Sequence, residues 1–133
     1  MAYASTLLRD PWSTYREIDA AGRTAQAATG PALVQLLYSE LVAALRAAAY
    51  AAEQQQYRVK SDRVTRATAI LFALESGLDF ERGGDVSKTL ARMYAGARRT
   101  IVNASIGHDP QPFRDTADTL DEIAAAWRTA SGG

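Results

Sequence analysis

The sequence predicts an all-α protein: an antiparallel up-down four-helix bundle preceded by a short N-terminal helix or arm. Three observations carry this. Four long segments each hold an apolar stripe stepping three and four residues at a time, as a helix with one buried face does. The connections between the segments are short, which forces consecutive helices to run antiparallel. No segment alternates with period two through β-branched residues, so strands are not expected.

Residues 1–30 are the least committed part of the chain and read as a flexible arm. Within it, Asp10 can cap a short helix with Pro11 at its first position. Tyr15 and Ile18, three apart, share a face of that helix, and Gly22 ends it. The first long helix can take Thr29 as N-cap and Pro31 in its first turn, where a missing N–H costs nothing. Its inner face is Val34, Leu37, Leu41, Ala44 and Ala48, and the Gln54–Gln56 run marks its fraying end. Ser61 and Asp62 are cap candidates for the second helix. Its seam is Val64, Ala67, Leu71, Leu74 and Leu78, with Gly77 placed as a left-handed cap.

The third helix follows a turn at Gly83-Gly84 and has Asp85 in its first turn, where a negative charge suits the macrodipole. Its inward residues are Val86, Leu90, Met93, Ala97, Ile101 and Ala104, and Gly107 ends it. Asp109 can cap the fourth helix, with Pro110 and Pro112 in the first turn. Its seam is Phe113, Ala117, Leu120, Ala124 and Trp127. Residues 131–133 are expected to be a mobile tail. At 133 residues, the chain 1–133 reads as a single domain able to bury a core without staples.

Composition excludes several classes of chemistry. Cysteine is absent, so there is no disulfide framework, thiolate metal site or thiol nucleophile. No Glu-x-x-His pairs stand on facing helices for a di-iron site, and neither a metal nor a cofactor is expected. The single histidine, His108, sits in a loop. The nearby Ser105 and Asp109 give it no orienting shell, so no catalytic residue is expected and the chain reads as a non-enzyme. Gly83-Gly84 lacks the Lys-Ser/Thr of a phosphate loop and reads as a tight turn between close-packed helices. Fifteen basic and fifteen acidic residues cancel, which gives no general pull on nucleic acid or an anionic membrane. Apolar runs are short and the N-terminus has no signal-like core, so neither membrane insertion nor export of the chain is expected.

Apolar surface is what remains. Leu33 and Leu36 lie off the first seam, Phe72 off the second, Tyr94 and Val102 off the third and Ile123 off the fourth. They either widen the core or line a groove that accepts a partner's amphipathic segment, and pattern alone leaves both open. Arg58, Lys60, Asp62, Arg63 and Arg66 are likewise a solvated face or the rim of a protein-binding site.

The order Leu78-Asp79-x-Glu81-x-Gly83-Gly84-Asp85-Val86, then Leu90-x-x-Met93-Tyr94, resembles the central signature of the flagellin export chaperones, the FliS family. Asn103-Ala104, Asp109 and Ala126-Trp127 continue the match downstream. Leu33-Val34-x-Leu36-Leu37-Tyr38 and Tyr15 continue it upstream. The chain departs from the family pattern at Ser39-Glu40, at Ala27–Gly30 and at Gly96. The resemblance implies a cytoplasmic chaperone that binds the disordered C-terminal region of flagellin, prevents premature polymerisation and aids delivery to the flagellar type III export apparatus. Export gate components and other flagellar regulators are further partners it implies. Tyr15, Ile18, Leu33, Leu36, Phe72, Tyr94 and Val102 are then the candidate flagellin contacts, with the arm folding over part of the client surface. The competing expectation is a regulatory adaptor on the same fold that binds another flagellar protein.

Overall fold

A computed structural model describes residues 30–130. They form four helices: α1 Pro31–Glu53, α2 Tyr57–Ser76, α3 Phe80–Ile106 and α4 Gln111–Ala130, with no strand among the described residues. Cross-bundle pairs fix the directions. Glu53 pairs with Arg114, Arg46 with Asp118, and Tyr38 packs on Trp127, so α4 descends as α1 climbs. Lys60 meets Gly107 and Glu75 meets Arg98, so α2 and α3 are antiparallel as well. Each helix packs on its sequence neighbour and α1 packs on α4, which closes the bundle.

The core is built from the expected stripes. Leu37, Leu41, Ala44 and Ala48 of α1, Val64, Ala67, Leu71 and Leu74 of α2, and Phe113, Ala117, Leu120 and Ala124 of α4 form one buried cluster. Val34, Leu78, Leu90, Met93, Ala97 and Trp127 are half-buried around it. By length and composition α1 is apolar enough to cross a membrane, contrary to the expectation of short apolar runs. Here its apolar side chains are the central wall of the bundle, where Leu37, Tyr38, Leu41 and Leu45 are fully buried.

Four local readings are corrected. Gly30, with φ 51°, takes the N-cap of α1, one residue after Thr29. The end of α1 is tightly closed rather than frayed. Gln56 N–H donates to Ala51 O and Gln55 N–H to Ala52 O, a Schellman closure with Gln55 at φ 57° where glycine is usual. α2 starts at Tyr57 behind an N-cap, Gln56, that makes no side-chain bond. Ser61 and Asp62 therefore lie inside the helix. Gly77 ends α2 with right-handed dihedrals, φ −86° and ψ 0°.

The fifth correction concerns α3. Asp79 caps its first turn by accepting from Glu81 N–H and Arg82 N–H at 3.1 Å each. Gly84 then breaks the helical path at φ 50°, ψ −123°, a left-handed conformation open mainly to glycine. A Cβ on Gly83 would collide with Ser87 Oγ, which donates to Asp79 O at 2.9 Å. The break resets the register. Ser87, not Val86, is buried, and Val86 is 66% exposed.

Candidate functional site

An open groove lies between the first half of α2 and the last three turns of α3. Two hollows lie in it. One, of about 410 Å³, sits at the start of α2 and the end of α3, lined by Tyr57, Lys60, Val64, Thr65, Ser105 and Ile106. The other, of about 360 Å³, is lined by Thr68, Ala95, Arg98, Arg99, Val102 and Asn103. A smaller hollow of about 230 Å³ separates α3 from α4, between Met93 and Ala97 on one side and Thr116, Thr119 and Leu120 on the other.

The spacing on α3 creates the groove's outer wall. Ala95, Arg99, Val102 and Ile106 step four, three and four, so they share one helical face. That face points away from the bundle: Val102 is 45% and Ile106 81% exposed. On α2, Lys60, Val64 and Thr68 recur every four residues toward the same groove. From Ala95 to Ile106 the wall is about 16 Å long, three helical turns.

Polar groups in the groove are held by local chemistry. Arg98 reaches Glu75 at 2.6 Å and its guanidinium lies 6.0 Å from the Phe72 ring. Lys60 is only 5% exposed. Its ammonium donates to Gly107 O at 2.9 Å and stands 5.4 Å from the Tyr57 ring. Ser105 Oγ donates to Val102 O within its own helix, while His108 packs against Tyr57. The two side chains closest to a catalytic grouping in sequence are thus turned to different partners. Among the described residues no three His, Cys, Asp or Glu side chains converge as metal ligands.

Of the candidate contacts, Val102 lines the groove, and Phe72, half-buried, touches Arg98 on the same α2–α3 face. Leu33 and Leu36 are half-buried on α1, packed against the core. Tyr15 and Ile18 lie outside the described residues. Tyr94 is placed differently from the expectation of an outer flank: it is 1% exposed. Its hydroxyl is 2.6 Å from that of Tyr38, across the bundle diagonal, and the rings meet edge-on at 6.3 Å. Tyr94 lies seven residues from both Ser87 and Ile101, the other buried positions of α3, and so belongs to its inward face. Burial, then the bond to Tyr94, pushes the Tyr38 hydroxyl far above its usual titration range.

Sequence reasoning left out Tyr57, Arg99 and Ile106. The last two were legible, since they stand three before and four after Val102 on one helical face. Tyr57 was not, because the helix was expected to start five or six residues later.

The model of a family described as "Flagellar protein FliS" matches residues 13–133. The flagellar secretion chaperone FliS of Vibrio cholerae is 33% identical over 101 residues, covering 76% of this chain and 74% of that protein. The protein of the same name from Salmonella typhimurium is 29% identical over 100 residues, 74% of each chain. The flagellar secretion chaperone FliSB of Pseudomonas aeruginosa is 30% identical over 95 residues, 71% of this chain and 75% of that one.

Proposed function

The chain belongs to the FliS family of flagellar proteins, and from that premise we propose that it is a cytoplasmic export chaperone for flagellin. In this reading it binds the disordered C-terminal segment of flagellin, keeps the subunit from polymerising early and presents it to the flagellar type III export apparatus. The observation that carries the reading is the α2–α3 groove, a three-turn hollow whose outer wall keeps Val102 and Ile106 in solvent. A folded protein gains nothing internally from aliphatic side chains left so exposed. A helix laid in the groove would remove them from water. A disordered client suits such a site because it can shape itself to the groove while staying incapable of self-assembly.

Phe72, Val102, Leu33 and Leu36 remain the proposed contacts from the sequence, joined by Tyr57 and Ile106. Tyr94 is withdrawn, since it is a core residue. The proposal for the arm is that residues 1–20 lie over part of the client surface and move aside. Their deletion should leave the bundle folded and change affinity for flagellin.

The test is calorimetric titration with a peptide of the flagellin C-terminal region from the same bacterium. Binding is expected, and Val102→Glu should weaken it about tenfold, as placing a charge in an apolar contact costs about 1–3 kcal/mol. No binding at tens of micromolar would favour the adaptor reading instead. The names of the curated relatives, all flagellar secretion chaperones, weigh toward flagellin export.

A further inference from the structure

We propose that the α2–α3 groove selects an acidic amphipathic segment of its client, with Lys60 and Arg99 each receiving a carboxylate. The proposal rests on the export-chaperone reading and adds the chemistry of the bound segment. It starts from how charge is distributed. The chain is neutral in sum, yet the fold separates the signs. α3 carries Arg82, Lys88, Arg92, Arg98 and Arg99 against Glu81 and Asp85, and on its far side α4 carries Asp115, Asp118, Asp121 and Glu122 against Arg114 and Arg128. The α2–α3 side of the bundle is therefore basic and the α4 side acidic.

Inside the groove the imbalance is complete. Between them the two hollows are lined by the cations Lys60, Arg98 and Arg99 and by no carboxylate. Arg98 is neutralised by Glu75. Lys60 and Arg99 form no ion pair among the described residues. Lys60 is the more telling of the two. An ammonium carries three donors and pays a large desolvation cost when buried without a counter-charge. Here one donor serves the Gly107 carbonyl and a ring face lies nearby, and the side chain still lines an open hollow of about 410 Å³. The first turn of α2, which includes Lys60, has no acidic residue and no capping side chain, so its backbone adds partial positive charge at the same point.

The geometry sets the spacing of the partner's charges. Lys60 sits at the level of Gly107 through its hydrogen bond. Arg99 lies eight residues earlier on α3, about 12 Å along the axis at helical rise. A helical segment in the groove would meet both with carboxylates about seven or eight residues apart, on one face. Aliphatic side chains between them would cover Val102 and Ile106. Charge and apolar surface together describe an amphipathic acidic helix, not a purely hydrophobic one.

The experiment uses the full chain and the flagellin C-terminal peptide, titrated at 50 and 300 mM NaCl. Arg99→Glu, Lys60→Met and Val102→Glu are compared with the unsubstituted protein after circular dichroism shows that each is folded. Arg99→Glu is expected to weaken binding about three- to tenfold at low salt and to flatten the salt dependence. Lys60→Met should weaken it by about tenfold or more, since it removes a partly desolvated charge partner. A peptide with its Asp and Glu residues replaced by Asn and Gln should lose both factors against the unsubstituted protein, and only the Lys60 factor against Arg99→Glu. Binding that is indifferent to salt, to Arg99→Glu and to the amide peptide, while still weakened by Val102→Glu, would overturn the acidic selection and leave the chaperone reading standing. Displacement of the peptide by an equimolar single-stranded oligonucleotide would overturn it too, by showing a nucleic-acid groove. Absence of any peptide binding would remove both the selection and the reading beneath it.

Discussion

The tyrosine pair across the bundle offers the sharpest test of how α3 is seated. Tyr38 and Tyr94 are fully buried, their hydroxyls are 2.6 Å apart, and Trp127 packs against the Tyr38 ring at 4.8 Å. Each single substitution to Phe keeps the ring contacts and deletes the hydrogen bond, leaving one hydroxyl desolvated in the core. The expected cost is about 1–2 kcal/mol for either single variant. For a chain of this length that lowers Tm by about 3–6 °C per kcal/mol. The double variant removes both hydroxyls and should cost no more than the worse single. The double-mutant cycle then returns a coupling of about 1–2 kcal/mol. Urea denaturation followed by circular dichroism measures all four proteins. Additivity of the two single effects, to within about 0.5 kcal/mol, would refute the bond and with it the register assigned to α3. The same variants separate fold from function: Tyr94→Phe should leave affinity for the flagellin peptide within about twofold, while Val102→Glu does not.

Three other expectations follow from single observations. Gly83→Ala should destabilise by about 1–3 kcal/mol by driving Ser87 off the Asp79 carbonyl, and a Ser87→Ala background should recover part of the loss, both read by urea denaturation. Gln55→Gly should stabilise by about 0.5–1 kcal/mol, because the left-handed position costs a Cβ-bearing residue about 1–2 kcal/mol and glycine returns part of that as chain entropy; an unchanged urea midpoint would count against it. The Tyr38 hydroxyl titrates far above its ordinary 10.0 in the fold. Its contribution to stability is thus fully present below pH 10 and is lost above it, by up to about 1.4 kcal/mol per pH unit. Denaturation midpoints at pH 8 to 11 should fall more gently in Tyr38→Phe.

The seams of α1, α2 and α4 were legible because each helix is regular, so a stripe counted from any residue stays in phase. α3 was legible only in part. The stripe counted from Val86 is offset from the one the fold buries: Val86 itself is exposed, and the chain enters the helix through the positive φ at Gly84, which a pattern of apolar residues does not reveal. The stripe from Leu90 onward is partly right, but its deepest members are Ser87, Tyr94 and Ile101. Tyr94 therefore changed from a surface candidate to a core strut. The groove was harder still. Its existence depends on how far apart two helices lie, and one helix's sequence says nothing of that. The charge imbalance was invisible for a similar reason, as a zero sum along the chain hides opposite sums on opposite sides of the bundle.

The residues that mark the family and those that face the groove therefore do different work on the same helix. Asp79 caps, Gly83 makes room for Ser87, Gly84 turns the chain, and Tyr94 crosses to Tyr38; every one of these contacts is internal. Arg99, Val102 and Ile106 make no such contact among the described residues and stand on an adjoining, outward face. A face with no part in folding is free to be shaped by a client. A face that sets register is not, because a slip at Gly84 would rotate the whole outer wall away from α2. Precise capture of a disordered segment thus depends on residues that never touch it. Substitutions at the inner set should shift Tm with affinity nearly constant once folded, and those at the outer set should do the reverse.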